Sequence, residues 1–248
     1  MKKACYKIPE GSLVTVQQFH ERATSEYKRL GIFPYCPECN EILEIYGINN
    51  FSISRFDHKN RLETADPLDD CSLADRGCQR FKFLTPIAWD YDRGKQLRIA
   101  FFDKNNLKIA YCFCLDLTRK GNLPLQKFNQ MIQRADKKKI WSYTDIPLWS
   151  IPYILLTLEN FTQPSTETKK GYDFHFVLEK PQNMENSSIW ARLGETCLKK
   201  VFSSDGRNIS TSDNPFPFSE GGMIEKAGNT DWIKDNFLKQ LLACGQRE

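Results

Sequence analysis

The tetrapeptide Cys36-Pro37-Glu38-Cys39 constrains this chain more than any other stretch of it. Two thiols two residues apart share a turn tight enough for both to reach one ion, the arrangement of a zinc knuckle. Tetrahedral zinc then requires two further ligands. His58 follows Cys39 with 18 residues between them. The intervening runs EILEIYG and FSISRFD flank the turn-forming GINN and predict a β-hairpin. A hairpin returns the chain to its start, so His58 comes back beside the knuckle. Cys71, with 12 residues between it and His58, supplies the fourth ligand, and Cys78 competes for the place of Cys71 or His58. One structural Zn²⁺ is therefore expected on Cys36, Cys39, His58 and Cys71.

Core packing and redox chemistry compete with the metal for these cysteines. Cysteine is among the most buried residue types, and a CxxC pair also serves thiol–disulfide exchange. The redox reading lacks its strand–helix context, and residues 55–80 hold too little apolar material to fix Cys71 and Cys78 unaided. Nine cysteines, an odd number, in a 248-residue chain with no apolar leader point to reduced thiols and a cytoplasmic location rather than a disulfide framework. The apolar runs are too short and too broken by proline to span a bilayer. Cys112 and Cys114 alternate in YCFCLDL and read as buried strand residues, with Cys5, Cys197 and Cys244 as structural thiols.

The pattern along the chain predicts an α+β fold: a small zinc-knuckle module with a β-hairpin, then a mixed antiparallel sheet with helices. The division falls at 1–84 and 85–248. Residues 13–30 predict a helix with Thr15 and Gln18 at capping-box spacing. QLRIAFFDKNNLKIAYCFCLDL predicts a hairpin turning at DKNN. LPLQKFNQMIQRADKKK predicts a helix, GYDFHFVLEKP a strand, and NSSIWARLGETCLKKVF a helix starting near Ser187 or Ser188. Residues 204–228 predict a long loop, and TDWIKDNFLKQLLACG a closing helix with Thr230 as its cap.

A helix, CPEC, a hairpin and RFDH together resemble the N-terminal zinc-binding segment of CoiA-like competence proteins, with Cys36, Pro37, Cys39, Phe56 and His58 matching the pattern over about the first third of the chain. The resemblance implies a zinc module joined to a nuclease-like domain acting in DNA uptake or processing. The remainder departs from that pattern. A nuclease core needs an acid-x-Lys strand to hold a divalent ion and its water, whereas Glu179 and Lys180 are adjacent and point to opposite strand faces.

Residues 117–139 hold seven Lys/Arg against the single acid Asp136, a local charge of +6 in a chain of net +4. Arg119, Lys120, Lys127, Arg134, Lys137 and Lys138 are the candidate phosphate contacts, set against the plainer reading of a solvated helix face. His20 reads as a helix residue. His175 shares a strand face with Asp173, an acid–base pair without a neighbouring nucleophile. P-loop, dinucleotide-binding and Gly-x-Ser-x-Gly patterns are absent from the sequence. The expected function is a zinc-stabilised, non-catalytic nucleic-acid-binding protein, one subunit of a bacterial DNA/RNA-processing or antiviral complex with other protein partners. Its rivals are a diverged metal-dependent nuclease and a protein-interaction adaptor with a structural zinc.

Overall fold

The computed structural model describes residues 1–48, 50, 52–59, 66–74, 80, 88–119, 122–166, 170–179, 196–210 and 214–246. These form an α+β structure with antiparallel sheets. Strand β1 (Lys3–Tyr6) lies between β2 (Leu13–Thr15) and the short β3 (Pro34–Tyr35). Helix α1 (Val16–Ala23) starts at Thr15, whose side chain accepts from Gln18 N while Gln18 Oε1 accepts from Thr15 N, completing the expected capping box. The helix is shorter than the 13–30 prediction. Leu13–Thr15 pair with β1 instead of coiling, and Thr24 turns to φ +60°, ending the helix after two turns. Val16, Phe19 and Ala23 form the buried stripe.

The hairpin after the knuckle is present as β4 (Leu43–Tyr46) and β5 (Arg55–His58). Met1 and Phe56 exchange two main-chain hydrogen bonds, of 3.1 and 2.9 Å, tying β5 to the chain start. Ala4, Val14, Phe19, Leu43 and Phe56 pack together with Cys36 and Cys71 into a small core.

The second region is built differently from the sequence expectation. Where the sequence predicts a hairpin stand two helices, α2 (Tyr91–Phe101) and α3 (Lys104–Thr118). Asp103, a turn residue by its chemistry, is the N-cap of α3 and accepts from Asn105 N at 3.0 Å. Leu107, Ala110, Tyr111, Cys114, Leu117 and Thr118 recur at helical spacing and are buried. The strand-like alternation is a by-product of a helix buried on most sides, as Cys112 and Phe113 show. Helix α4 (Leu125–Lys137) forms as expected, and the wholly buried α5 (Ile151–Thr157) follows.

Strands β6 (Asn160–Gln163), β7 (Tyr172–Glu179), β8 (Cys197–Phe202) and β9 (Phe216–Pro217) form one antiparallel sheet in that order. Phe174, Phe176 and Leu178 alternate along β7 to face the core, where α5 packs on the strand. β8 corrects the helix predicted to run through Cys197–Phe202; Leu198 sits opposite Leu178 and Lys200 opposite Phe176, at strand period. The expected start of that helix, at Ser187 or Ser188, lies outside the described residues. The predicted loop at 204–228 contains β9 and α6 (Glu220–Ala227), capped by Ser219. The last helix, α7 (Asp235–Ala243), begins after Lys234, so Thr230 does not cap it. No helix among the described residues is long and apolar enough to cross a membrane.

Candidate metal centre

The knuckle is a turn between β3 and β4. Cys36 N donates to Glu41 O at 2.7 Å, and Asn40 N donates to Cys36 O at 3.0 Å. Asn40 takes φ +62°, a left-handed conformation asparagine tolerates better than most residues. The two thiols therefore face one side. In the hairpin register His58 lies opposite Leu43, four residues beyond Cys39, which brings its ring to the knuckle. Cys71 arrives after a 3-10 turn at Pro67–Asp69, and its successor Ser72 donates its main-chain N–H to Glu38 Oε1 at 2.6 Å. The knuckle thus holds the segment that brings the fourth ligand.

The ligand atoms of Cys36, Cys39, His58 and Cys71 all lie within 4.8 Å of one another, forming a potential metal site. Cys36 Sγ is 3.7 Å from Cys71 Sγ, and Cys39 Sγ is 3.4 Å from His58 Nε2. Zn–S bonds of about 2.3 Å and Zn–N bonds of about 2.05 Å at tetrahedral angles require S···S of about 3.8 Å and S···N of about 3.5 Å. Two of the separations, Cys36–Cys71 and Cys39–His58, match a tetrahedral ion, and the others fall within 4.8 Å. Cys36 and Cys71 are buried, while Cys39 and His58 are partly exposed. Cys78 lies outside the described residues.

The electrostatics of the cluster favour a cation. Burial pushes the Cys36 thiol up. Hydrogen bonding with Cys36 and Cys39, then burial, raises Cys71. Hydrogen bonds from Cys36 and Cys71 hold Cys39 far below its usual range. Three crowded sulfurs therefore carry one negative charge readily and a second with difficulty. A divalent ion removes that conflict by letting all three ionise. Glu38, also buried, has its carboxyl raised by burial, with the Lys138 ammonium opposing the rise.

Of the six predicted phosphate contacts, the five that are described do not form one surface. Arg119 is exposed at the C-terminal end of α3, and Lys137 is exposed on α4. Lys127 is half-buried, with Nζ donating to Asn160 O at 2.6 Å and lying over the Phe161 ring. Arg134 is turned inward: its side chain is 12% exposed and pairs with Asp66 at 2.6 Å, Asp69 at 3.1 Å and Glu159 at 2.9 Å. Burial works against the Arg134 charge, but Glu159, Asp69 and Asp66 outweigh it and raise its pKa. Lys138 is buried and donates to Asp70 O. Lys120 lies outside the described residues.

These inward cations join the metal segment to α4, a role that sequence reasoning misses. Next to them, Lys139 pairs with Glu10 at 2.8 Å and donates to Asn40 Oδ1 at 2.6 Å. Tyr91 OH donates to Pro37 O at 3.2 Å. The available signal is complementarity: the acid-rich ADPLDD at 65–70 matches the basic run in sign.

His175 and Asp173 do not act as a pair. Asp173 accepts from Thr162 Oγ1 at 2.7 Å, and His175 Nδ1 meets Ser203 Oγ at 3.2 Å. Burial, aided by the Arg80 charge, lowers the imidazole pKa to about 4. Glu179 is in an ion pair with Lys199, and its sequence neighbour Lys180 lies outside the described residues. Compared with protein-family profiles, curated proteins and solved structures, the chain matches none, so what it does is argued from its own residues.

Proposed function

We propose that this chain is a zinc-stabilised binding protein whose metal is structural and whose work is non-catalytic. The observation that supports this reading is the closed set of three thiols and one imidazole within 4.8 Å of one another. Four protein ligands leave no coordination position for a reacting water. Cys36, Cys39, His58 and Cys71 would hold the ion, which supplies a strong cross-link between the knuckle, the hairpin and the 66–74 segment. Elemental analysis of the purified chain should give about one zinc per molecule, lost in Cys71→Ser. A purified chain without transition metal, or a Cys71→Ser variant that keeps it, sinks the reading.

Nucleic acid is the ligand we propose, with the contact residues redrawn from the sequence expectation. Arg134 and Lys138 serve the interior. Arg119 and Lys137, with Lys127 at its edge, keep the exposure that phosphate binding needs. Each true contact steepens the salt dependence of binding by about 0.7 to 0.9 in log–log slope. Arg119→Ala with Lys137→Ala should therefore flatten a salt titration on fluorescent DNA or RNA by about one to two units; an unchanged slope removes both residues from the interface. The resemblance to CoiA-like proteins agrees with a role in DNA processing, and a bacterial multi-subunit complex is the setting it suggests.

The adaptor reading has one observation of its own. Ile42, Tyr46 and Ile53, in or beside the hairpin, are all exposed large apolar residues. A chain that shows no salt-dependent nucleic-acid binding but is captured by a protein partner through these three residues belongs to that reading.

A further inference from the structure

A cavity of about 1050 Å³ lies between the C-terminal half of α3, the end of α6, the 229–233 segment and α7. It is far from the metal site in the chain and shares no residue with it. Its volume is in the range of pockets that hold small organic ligands. The floor is aromatic. Tyr111 and Phe237 meet edge to face at 5.4 Å, and Trp232 lies 5.7 Å from Phe237. Trp232 is 48% exposed, unusual for an indole in a cluster whose other rings are covered. The indole packs against Tyr111 and Phe237 and keeps about half of its surface open beside the cavity.

The rim is polar and unequal in sign. Arg119 and Lys226 supply two cations, Asp116 one carboxylate and Asn229 an amide. A third cation stands behind Arg119. Lys200 on β8 is 4% exposed, its ammonium 3.6 Å from the Phe174 ring centre, and it makes no ion pair among the described residues. It is close enough to Arg119 for the two charges to repel. The field at this end of the cavity is positive.

We propose that this cavity binds a nucleoside monophosphate, its base stacked on Trp232 and its phosphate held by Arg119 and Lys226. Base-on-indole stacking is sequence-tolerant and uses a half-exposed ring. Arginine offers a planar fork that matches phosphate oxygens. Asp116 accepts from ribose hydroxyls, and Asn229, whose Oδ1 accepts from Asp231 N, offers its amide N–H to the base edge. The proposal shares Arg119 with the nucleic-acid reading but does not depend on it. A mononucleotide pocket needs no polymer, and a polymer-binding face needs no pocket.

The test is isothermal titration of the full chain with AMP and UMP, beside adenosine and ribose 5-phosphate as half-ligands. Saturable binding of a nucleoside monophosphate is expected, with each half-ligand at least about tenfold weaker. Trp232→Ala, and separately Arg119→Ala with Lys226→Ala, should each weaken it by about tenfold or more. Arg119 is exposed, so Arg119→Glu keeps the fold and serves as the decisive variant if Trp232→Ala proves unstable. Absence of saturable binding at millimolar nucleotide overturns the proposal, as does equal binding of AMP and ribose 5-phosphate or indifference to Arg119→Glu. Oligonucleotide binding retained without AMP binding overturns the pocket and leaves the nucleic-acid reading intact. AMP binding without oligonucleotide binding does the reverse.

Discussion

The core of the N-terminal region holds nine buried residues among those described, two of which, Cys36 and Cys71, belong to the metal site. The core around α3, α5 and the four-stranded sheet holds several times that number, including Phe113, Phe128, Tyr153, Phe161 and Phe174. The larger region closes on apolar area alone. The smaller one buries far less, and small cores of this kind generally rely on a cross-link such as a bound metal. The join between the two is polar, made by Arg134, Lys138, Lys139 and Tyr91, with Leu68 as the apolar residue that the metal segment lends to the larger core.

Removing the metal ligand Cys36 should open the widest gap between the two regions. Cys36→Ser should destabilise residues 1–74 by several kcal/mol, because a structural zinc contributes on the order of 10 kcal/mol to folding. Hydrogen exchange should quicken throughout β1–β5 and stay slow in α3 and α5. Uniform quickening would mean that the two regions unfold as one and would break the comparison.

Phe113→Ala is the converse perturbation. Phe113 is 1% exposed and packs on Tyr153 with ring centres 4.6 Å apart. Its truncation should cost about 3–5 kcal/mol in the larger region and leave zinc content unchanged. Measured by denaturant melts with metal analysis, a loss of zinc here would show tighter coupling than the polar join implies.

Arg134→Ala acts on the join itself. It leaves Glu159, 10% exposed, without that cation and removes one ion-pair partner from each of Asp66 and Asp69, both more than a third exposed. Exposure discounts the latter pairs, so a loss of about 1–3 kcal/mol is expected, with Arg134→Lys a poor rescue because three acceptors fan around one fork. A second, earlier melting transition for the 1–74 region would sharpen the comparison.

Lys200 gives the smallest effect and has a defined pH window. Burial, then the Arg119 charge, lowers its pKa to about 8, against an ordinary value of 10.5. Between those values the unfolded chain holds a proton that the folded chain has lost, so stability rises with pH from about 8 to about 10.5. Below pH 8 the cost of the buried charge is fully present. Lys200→Met should therefore be more stable at pH 7, by on the order of 1 kcal/mol, with the advantage gone near pH 10.5. An advantage that does not vary with pH would assign the effect to packing.

The cluster of candidate metal ligands was legible because ligand spacing is a local property: a two-residue turn and one hairpin bring Cys36, Cys39 and His58 together whatever the rest of the chain does. Thr15 and Gln18 were legible for the same reason. The helices α2 and α3 were not. The period of α3 is blurred by burial on several sides, α2 buries only Gly94 and Phe101 and so shows little apolar stripe, and Asp103 signals a turn and a helix cap with the same chemistry. The basic run was legible as charge but not as direction. The docked 66–70 segment, with Glu159 as a further partner of Arg134, holds Arg134 and Lys138 inward, and the contact with that segment joins residues 65 or more apart. The aromatic cavity had no local signature, since Tyr111 stands over a hundred residues from Trp232 and Phe237.

The inward turn of α4 has a practical consequence for anyone dissecting this chain. A fragment beginning after residue 87 would lack the carboxylates of Glu10, Asp66 and Asp69 and the main-chain carbonyl of Asp70, and so would present Arg134, Lys138 and Lys139 to solvent without those partners, with Arg134 keeping Glu159. Such a fragment would retain DNA and RNA on a gel through a surface that the intact chain keeps closed. Its apparent activity would measure the cut, and only the whole polypeptide reports the charge that a ligand meets.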